Sequence, residues 1–470
     1  MAPTDRPDDH DALLADAAAR AASYRRGAAS RPVAPTAEAL AGLARFGVDL
    51  PDEPTPPAAV LDELDRFGSP STVVSNGGRY FGFVTGGTDP AAQAAAVLAG
   101  AWDQNVALPV MSPVAAHLDE LAARWVGELL GLPATTTATF CGGASVANLI
   151  GILAGRDALL ERAGWDVGRR GLWGAPPLRV VTGAEAHLSV FKALRAAGFG
   201  RDTVTLVATD EAGRIDAGAL GPLDEQTLVV LQAGNVNTGH SDPFEPLIAR
   251  ARAAGAWVHV DGAFGLWAAA SPTRRAQVAG VEGADSWATD AHKWLNVPYD
   301  SGIAACARVE DLHRLFATDA AYATTTAARA AMHLSPQMSQ RARGVEVWAT
   351  LRSLGRHGVA ALVDRCCELT STLAERLAGA GIGARVLAPV VLNQALVHLD
   401  DDATTDAVIE AVQHHGVIWA GATTWHGVRA MRLSVSDHAT TAADIDAAVG
   451  SIVHCRRALG GAGHHERRPG

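Results

Sequence analysis

The chain of 470 residues contains almost no lysine. Only Lys192 and Lys293 are lysines among its 39 lysine and arginine residues. An arginine stays protonated at neutral pH, whereas a lysine amine can lose its proton and form an imine. Lysine in such a chain therefore indicates chemistry that arginine cannot perform. On position alone, a surface lysine that caps a helix is an equally good interpretation of Lys293.

The sequence also lacks segments that would place it in a membrane or outside the cell. No apolar run is long enough to cross a bilayer, and the acidic N-terminus, MAPTDRPDDHDALLADAAAR, has no signal-peptide core. The net charge of −11 argues against nucleic acid and anionic membrane as main partners. A hydrophobic content of 48% with 19% charged residues is typical of a globular protein. We therefore expect a cytoplasmic protein.

Cysteine and histidine do not follow the spacing of metal ligands. The odd number of cysteines and the absence of a CxxC pair favour reduced thiols. The pairs His414–His415 and His464–His465 lack the i, i+4 spacing that places two ligands on one helix face. We predict no metal site. The cysteines are Cys141, Cys306, Cys366, Cys367 and Cys455.

Seven short apolar segments predict the strands of one sheet. Several alternate with helical patterns, as at 145–154, 189–197 and 246–254, and strands buried on both faces with helices between them are typical of a parallel sheet. We therefore expect an α/β fold with a mostly parallel seven-stranded sheet in a large domain. The predicted strands are 137–141, 179–182, 203–207, 228–232, 257–260, 286–289 and 302–307.

Composition divides the chain into four parts. Residues 1–75 have an Ala-rich helical stretch and a Pro-rich connector, and predict an arm that wraps a partner subunit. Residues 76–340 carry the predicted sheet. Residues 341–457 begin with a long helix and continue as an α+β small domain, and residues 458–470 predict a disordered tail.

Lys293 lies just beyond a predicted strand. In the stretch ADSWATDAHKWLNVP, a β-prone segment ends at the polar trio Asp290, Ala291 and His292, directly before the lysine. Open α/β sheets bind ligands in the crevice beyond the carboxyl ends of their strands. This position favours Lys293 as a site residue.

Two other strand ends carry candidate ligand contacts. After the first strand, Gly142 and Gly143 make a turn, and Ala144 and Ser145 begin a helix whose free N–H groups would attract a phosphate. For this turn alone, an ordinary strand-to-helix connection is the favoured interpretation. His187 follows another strand, where it could stack on an aromatic cofactor or be an ordinary loop histidine, which is favoured for it alone.

Asp261 ends the apolar strand in WVHVDGAFGL. A carboxylate among apolar neighbours requires a cationic partner. A protonated pyridinium nitrogen would serve, with Ala263 against the ring, although a helix N-cap is an equally good interpretation. A single cofactor would account for the candidate residues at all four strand ends. A phosphate turn, a stacking histidine, an aspartate for a pyridine nitrogen and a lysine for an imine are what pyridoxal phosphate requires.

Five segments carry a specific resemblance. They are CGGASVAN at the turn, AHLSVFKA at the histidine, HVDGAFG at the aspartate, DAHKWLNVPYDSG at the lysine, and SPQMSQRARGVEVWATLRSLG in the long helix. From about Tyr80 to Val449 the chain resembles the pyridoxal-phosphate-dependent group II amino acid decarboxylases, the family of aromatic amino acid and glutamate decarboxylases. The resemblance implies the aspartate aminotransferase-like fold (PLP fold type I) and a homodimer with active sites at the interface.

The resemblance also implies roles for individual residues. Lys293 would form the Schiff base with pyridoxal 5'-phosphate (PLP), Asp261 would bind the pyridine nitrogen, and His187 would stack on the ring. Ala263 would pack against the ring, and Ala144, Ser145 and His292 would lie around the phosphate. The residues implied to be catalytic are Lys293, His187 and Asp261, and those implied to bind the cofactor are Gly143, Ala144, Ser145, His187, Asp261, Ala263, His292 and Lys293.

The loop expected to supply a proton donor departs from the family. Relatives commonly carry a tyrosine on a mobile loop, which protonates the substrate after carbon dioxide leaves. The equivalent loop here, about 318–334, is short, and its only tyrosine, Tyr322, lies near its start. An ordinary surface connector is an equally good interpretation of this weakly patterned segment.

Other departures concern the cofactor and substrate surroundings. Asp290 stands where some relatives have asparagine, and Asn235–Val236 stands where relatives often have a threonine pair. The segment NGGRYFGFV lacks the His-Pro that often precedes the aromatic pair at the pocket wall. Tyr80, Phe81 and Trp102 are candidate pocket walls, with ordinary core packing an equal alternative.

We therefore expect PLP-dependent decarboxylation of an L-amino acid, with an aromatic substrate favoured, to the amine and carbon dioxide. Decarboxylative oxidative deamination to an aldehyde, or transamination, would use the same site. Arg432 lies where aminotransferases of this fold can place a carboxylate-binding arginine, although a salt bridge within the small domain is the favoured interpretation. The intact lysine, aspartate and histidine set disfavours a PLP-binding protein without catalysis.

Overall fold

The computed structural model describes residues 7–47, 49–317 and 329–465, and a seven-stranded sheet runs through the larger part of it. The strand order is β1-β7-β6-β5-β4-β2-β3, in which β7 is antiparallel to both neighbours and the other pairs are parallel. This confirms the α/β prediction, and each predicted strand end lies within one residue of the observed one. The strands are β1 (Thr137–Cys141), β2 (Arg179–Gly183), β3 (Val204–Val207), β4 (Thr227–Gln232), β5 (Trp257–Asp261), β6 (Ser286–Asp290) and β7 (Gly302–Cys306).

A second, antiparallel sheet follows toward the C-terminus. Its order is β10-β11-β9-β8. The strands are β8 (Ala384–Val386), β9 (Gln394–Leu399), β10 (Gly421–Trp425) and β11 (Val428–Ser434).

Fourteen α-helices occur in the described residues, with several short 3-10 turns between them. The longest, α12, bends at Gly355, where φ is +62°, a value that glycine adopts without steric cost. The helices are α1 (Pro7–Gly27), α2 (Ala37–Gly42), α3 (Pro57–Glu63), α4 (Ser69–Ser71), α5 (Pro90–Trp102), α6 (Pro113–Leu129), α7 (Ala144–Arg162), α8 (Val167–Arg170), α9 (Leu188–Ala196), α10 (Phe244–Ala253), α11 (Val309–Phe316), α12 (Arg343–Ala378), α13 (Asp402–His415) and α14 (Ala442–His465).

The large sheet is covered on both faces, which explains its apolar strands. Every residue of β4, β5, β6 and β7 is buried. Successive residues of a strand point to opposite faces, so Leu228 and Val230 pack in one core whereas Val229 and Leu231 pack in the other. Because β1, β2, β4, β5 and β6 run in the same direction, their carboxyl ends meet at one edge of the sheet, and this edge carries the candidate site.

Helix α14 continues to His465 and so overlaps the predicted disordered tail, whose residues 466–470 lie outside the described part. The helix is held by the buried side chains of Ile445, Ala448 and Ile452. All five cysteines are buried and free. Among the described residues, no helix combines the length and apolar composition that a membrane span requires.

Candidate active site

The loop after β6 presents Lys293 at the carboxyl edge of the large sheet. The backbone N–H groups of Ala291 and His292 both donate to the carbonyl of Ser301, at 2.9 and 3.1 Å, and thereby fold the loop back toward β7. Lys293 is half-buried, whereas the residues around it are mostly buried. The backbone thus fixes where the lysine leaves the sheet, while its amine stays accessible.

Asn296 holds the far side of this loop in a left-handed conformation, with φ +59°. Its Oδ1 accepts the N–H of Gly87 at 2.9 Å and that of His438 at 2.8 Å. Gly86 packs so closely that a Cβ there would lie 1.7 Å from the carbonyl oxygen of Lys293. Gly86 and Asn296 were not among the predicted site residues, although the glycine pair in TGGT is a signal of close backbone approach.

Asp290 is the direct partner of the lysine. Its Oδ2 lies 3.0 Å from Nζ of Lys293 and 3.6 Å from Nε2 of His292. Its Oδ1 accepts the N–H of Ala144, the first residue of α7, at 2.5 Å. The buried carboxylate therefore joins the lysine loop to the glycine turn.

The glycine turn before α7 lies against the same loop. Gly143 has φ +136°, and a Cβ there would lie 3.3 Å from the imidazole of His292. A Cβ on Gly302 would lie 2.3 Å from Cα of Gly143, so the two backbones touch. The hydroxyl of Ser145 is on an exposed side chain at the start of the helix. The turn therefore offers a close, side-chain-free backbone beside a helix N-terminus, which is the environment that an anion prefers.

Asp261 is buried at the end of β5, next to β6 in the sheet. Its Oδ1 accepts the N–H of Ala263 at 3.2 Å, the kind of local turn that the capping interpretation predicted. It forms no ion pair within the described residues. Burial raises the pKa of this carboxyl group, and His187, Lys293 and Asn148 act against the rise. The site therefore has a buried carboxylate that still lacks a directly bound cation, and the half-buried Ala263 lies beside it.

His187 caps the N-terminus of α9. Its Nδ1 accepts the N–H of Ser189 at 3.2 Å and lies 2.8 Å from the Ser189 hydroxyl. More than a third of the residue is exposed, yet its ring has enough protein around it for desolvation to lower its pKa. The charges of Asp261 and Lys293 also act on that pKa, in opposite directions. The structure thus brings together the three side chains that were predicted to be catalytic.

Arg432, on β11, lies near the same group. The salt bridge favoured for it in the sequence analysis is not formed with any residue of the described part, and no carboxylate acts on its pKa. Burial lowers the pKa of its guanidinium, and Tyr80 acts against this effect. The charge of Arg432 in turn lowers the pKa of His187. Arg432 is therefore a half-buried cation that has no ion pair in the described residues and whose charge acts on His187.

The candidate pocket walls differ in their surroundings. Tyr80 and Phe83 both stack on Trp419, with ring centroids 5.1 and 5.2 Å apart. Phe81 is fully buried in the main core, so ordinary packing is the correct interpretation for it. Trp102 is 41% exposed. Tyr322, in contrast, lies outside the described residues, as does most of the loop predicted at 318–334.

The side chain of Asn235 forms hydrogen bonds with the backbone of its own turn. Its Oδ1 accepts the N–H groups of Asn237 and Thr238, at 2.8 and 3.3 Å, and its amide donates to the carbonyl of Glu185 at 3.4 Å. Asparagine at this position therefore holds the turn after β4 against the segment that leads to His187.

A buried polar group behind Asp261 escaped the sequence analysis. His259 is fully buried, with Nε2 2.9 Å from Oδ1 of Asn148 and Nδ1 2.8 Å from the Ser286 hydroxyl. Burial lowers the pKa of His259 to about 3. The signal was a histidine two residues before Asp261, hence on the same face of an otherwise apolar strand.

Replacing His259 by glutamine is expected to make the fold less sensitive to acid. The histidine pKa is about 6.5 when unfolded and about 3 when folded, so the stability that the neutral ring contributes is present above pH 6.5 and is lost as the pH falls toward 3. From pH 7 to pH 5 the unsubstituted protein should lose about 2 kcal/mol more free energy of unfolding than His259→Gln. Urea unfolding at both pH values measures this. His414→Gln, at an exposed position of α13, is the control, and equal losses in the unsubstituted protein and His259→Gln would refute the prediction.

Comparison with known proteins identifies relatives over most of the chain. Residues 43–384 match the family model described as the pyridoxal-dependent decarboxylase conserved domain. The chain is 30% identical over 297 residues to L-2,4-diaminobutyrate decarboxylase of Rhizobium meliloti (strain 1021), a match that covers 60% of this chain and 57% of that one. It is 29% identical over 270 residues to phenylacetaldehyde synthase of Arabidopsis thaliana, covering 52% and 53% of the two chains. The matches thus span a little over half the length of these relatives.

A solved structure has the same fold. The crystal structure of Oryza sativa TDC with PLP and tryptamine superimposes with a TM-score of 0.88 and 21% sequence identity, covering 98% of this chain and 99% of that one. The likeness extends over both sheets and supports the predicted aspartate aminotransferase-like architecture.

Proposed function

The chain belongs to the pyridoxal-dependent decarboxylase family, and on this premise we propose that it releases carbon dioxide from an L-amino acid, with PLP as cofactor. One observation carries the proposal. The amine of Lys293 and the buried carboxylate of Asp261 lie at the same edge of the sheet, beside the glycine turn that begins α7. We propose a carboxy-lyase that forms an amine, with an aromatic substrate favoured.

The residues at this edge fit the cofactor. Lys293 supplies an accessible primary amine for an aldehyde, and the carboxylate of Asp261 lacks the cation that a protonated pyridine nitrogen would provide. When bound, PLP supplies an electron sink for the pair left behind when carbon dioxide departs. Asp261 would keep the proton on the ring nitrogen, and the half-buried Ala263 and the ring of His187 would flank the cofactor.

The phosphate would bind at the glycine turn, where Gly143, Ala144, Ser145 and His292 meet. The N–H of Ala144 already donates to Asp290, so the exposed hydroxyl of Ser145 and the imidazole of His292 become the more important contacts in our proposal. Asp290 would hold Lys293 in position before the cofactor binds. A carboxylate here, where an asparagine would be neutral, also adds negative charge near the phosphate.

Arg432 supplies the contact that we propose for the substrate carboxylate. It is half-buried, its charge acts on Tyr80 and His187, and it has no ion pair in the described part of the protein. A desolvated guanidinium binds a carboxylate in a forked, charge-assisted contact. This contact would orient the amino acid before carbon dioxide is lost.

Replacing Arg432 by glutamine is expected to raise KM for the amino acid by roughly tenfold to a hundredfold, because a hydrogen bond to a charged group is lost. The affinity for PLP should change little. Steady-state kinetics and a cofactor titration measure the two effects separately. Arg429→Gln is the matched control, since Arg429 lies on the same strand but pairs with Asp406 at the surface. An unchanged KM in Arg432→Gln would show that Arg432 does not bind the substrate carboxylate.

The proposed function is tested by carbon dioxide release from a mixture of L-amino acids with added PLP, with the organic products identified by mass. Carbon dioxide together with an amine supports the proposal, and the amine identifies the substrate. Carbon dioxide with an aldehyde would instead support decarboxylative oxidative deamination, the second candidate, which the match to phenylacetaldehyde synthase favours. No carbon dioxide from any amino acid would contradict both.

We further propose that the active unit is a homodimer. A group of exposed apolar side chains extends from α5 to the segment before α6, and a surface of this kind is typical of a subunit interface. A solution mass equal to one chain of 48.6 kDa in light scattering would contradict the proposal. The side chains are Val97, Leu98, Trp102, Val110 and Met111.

A further inference from the structure

We propose that Asn148, His259 and Ser286 are positioning residues that hold Asp261 ionised and orient the ring of His187. They belong to a buried chain of hydrogen bonds that runs behind the candidate site. The inference deepens the proposed function and depends on it, since Asp261 and His187 would act on PLP there. We call the residues the polar chain, and they are Trp257, Ser286, His259, Asn148 and Ser189.

The first half of the polar chain is closed to solvent. Nε1 of Trp257 lies 3.1 Å from the hydroxyl of Ser286, and this hydroxyl lies 2.8 Å from Nδ1 of His259. Nε2 of His259 lies 2.9 Å from Oδ1 of Asn148. The exposed fraction of all four residues is zero. Hydrogen bonds in such an environment cannot be replaced by water, so each donor depends on the next acceptor.

The second half reaches both functional side chains. The amide nitrogen of Asn148 lies 3.5 Å from the hydroxyl of Ser189 and also acts on Asp261, lowering the pKa of that carboxyl group. The hydroxyl of Ser189 lies 2.8 Å from Nδ1 of His187. Asn148 is therefore a branch point, with one branch to Asp261 and one to His187.

The chemistry of the groups allows only one direction of donation. A carboxylate only accepts, so the Asn148 atom that faces Asp261 must be the amide nitrogen, and the amide oxygen must face His259. This oxygen also only accepts, so Nε2 of His259 carries the hydrogen and Nδ1 accepts from Ser286. The indole of Trp257 only donates, so it donates to Ser286.

The same reasoning assigns the tautomer of His187. The backbone N–H of Ser189 donates to Nδ1 of His187, so this nitrogen carries no hydrogen. The Ser189 hydroxyl must then donate to it as well, which leaves that oxygen free to accept from Asn148. The neutral ring of His187 therefore carries its hydrogen on Nε2.

The packing around the polar chain leaves room for this arrangement and for little else. A Cβ on Gly151, within α7, would lie 2.4 Å from the His259 imidazole and 3.1 Å from the Ser286 hydroxyl. A Cβ on Gly155 would lie 2.6 Å from the Trp257 ring. Two glycines cost a helix stability relative to alanine, so their presence in α7 indicates that the space is needed.

The test uses the full chain and two substitutions of His259, which forms no hydrogen bond with Asp261 or His187. His259→Phe fills the space but interrupts the polar chain. His259→Gln keeps an amide donor for Asn148 and an oxygen acceptor for Ser286. Thr289→Val is the matched control, because Thr289 is buried on the neighbouring strand and its hydroxyl has no hydrogen-bond partner in the described residues.

The first measurement is the dissociation constant of PLP from the cofactor-free protein, followed by tryptophan fluorescence. We expect His259→Phe to bind PLP roughly tenfold to a hundredfold more weakly, because Asp261 loses an oriented donor. His259→Gln should stay within about threefold of the unsubstituted protein, and Thr289→Val should match it. Equal losses in the Phe and Gln variants would show that the position matters only for packing, and would overturn the inference.

The second measurement is the ¹⁵N signal of labelled PLP, which reports the protonation of its ring nitrogen. In His259→Phe the Asp261 carboxylate becomes more basic, so the proton should move from the ring nitrogen toward Asp261 and the signal should shift toward that of neutral pyridine. In His259→Gln the signal should stay at the position of the unsubstituted protein. An unchanged signal in His259→Phe would overturn the inference, even if its activity were lower.

A third measurement separates this inference from the proposed function. In cofactor-free protein labelled with ¹⁵N-histidine, His187 should be the Nε2–H tautomer in both proteins, because the backbone N–H of Ser189 donates to Nδ1. His259→Phe should shift the Nδ1 signal of His187, because the Ser189 hydroxyl that donates to this nitrogen loses its oriented partner Asn148. Failure of the unsubstituted protein to bind PLP would refute the proposed function, whereas the histidine signals would still decide the inference. A His187 signal that is the same in both proteins would overturn it.

Discussion

Lys293→Arg is expected to abolish carbon dioxide release, with a fall in kcat of about three orders of magnitude or more. Arginine keeps the positive charge beside Asp290, so the ion pair at 3.0 Å and the loop that it holds should persist. Its guanidinium stays protonated, however, and cannot supply the amine that an aldehyde requires. The substitution therefore separates the charge of Lys293 from its chemistry, and a radioactive carbon dioxide assay measures the loss.

Lys192→Arg is the matched control, because Lys192 is the other lysine of the chain and is exposed on α9. It should keep the activity of the unsubstituted protein. Both variants should unfold close to the temperature of that protein, because each keeps the positive charge of the lysine. If Lys293→Arg retained more than about a tenth of the activity, the lysine would not be the essential amine.

Asp261→Asn is expected to lower kcat by roughly a hundredfold to a thousandfold without unfolding the protein. Asparagine has nearly the same shape, and its oxygen can still accept the N–H of Ala263, which is 3.2 Å away. It carries no charge, so nothing would hold a proton on the pyridine nitrogen. The carbon dioxide assay measures kcat, and the absorption spectrum of bound PLP reports the change at the ring.

The direction in which Asp261→Asn changes the stability of the protein can also be predicted. Burial raises the pKa of Asp261 above its value in the unfolded chain. The carboxyl group therefore stabilises the fold fully only at pH values below the unfolded pKa. This contribution to stability is lost as the pH rises through the folded pKa. Without PLP, Asp261→Asn should therefore be at least as stable as the unsubstituted protein at pH 8, as measured by urea unfolding. A clear loss of stability there would mean that Asp261 holds the fold.

Asp285→Asn is the control for Asp261→Asn. Asp285 precedes β6 at the opposite edge of the same sheet, accepts a backbone N–H from Val258 at 2.9 Å, and also has a pKa raised by burial. Its substitution should leave kcat unchanged. If both variants lost activity equally, the loss would reflect a disturbed sheet and not the position of Asp261 beside the cofactor.

The strands of the large sheet could be predicted closely because they depend on the pattern of neighbouring residues in the sequence. Strands covered on both faces consist of continuous apolar residues, and the turns between them are rich in glycine and polar residues. The same feature located the site, because a carboxylate at the end of an apolar strand, such as that of Asp261, is costly to bury without a partner.

Contacts between distant segments could not be predicted in this way. Asp290 and Ala144 are 146 residues apart in the chain and meet only because β1 and β6 end at the same edge. For Arg432, a salt bridge within the small domain was favoured over a carboxylate-binding role. In the structure its charge acts on Tyr80 and His187 instead. For Phe81, a pocket wall and ordinary core packing were equal alternatives, and the structure places it in the core.

The sequence by itself determined the strands of the large sheet and the residues at their carboxyl ends, because burial and turn formation depend on neighbouring residues. Only the tertiary structure decided what surrounds those residues. His259 and Asn148 lie 111 positions apart, and nothing in either segment indicates that they share a hydrogen bond. Packing of α7 on β5 brings them together, and buried polar groups must then find partners among whichever groups the fold has made their neighbours.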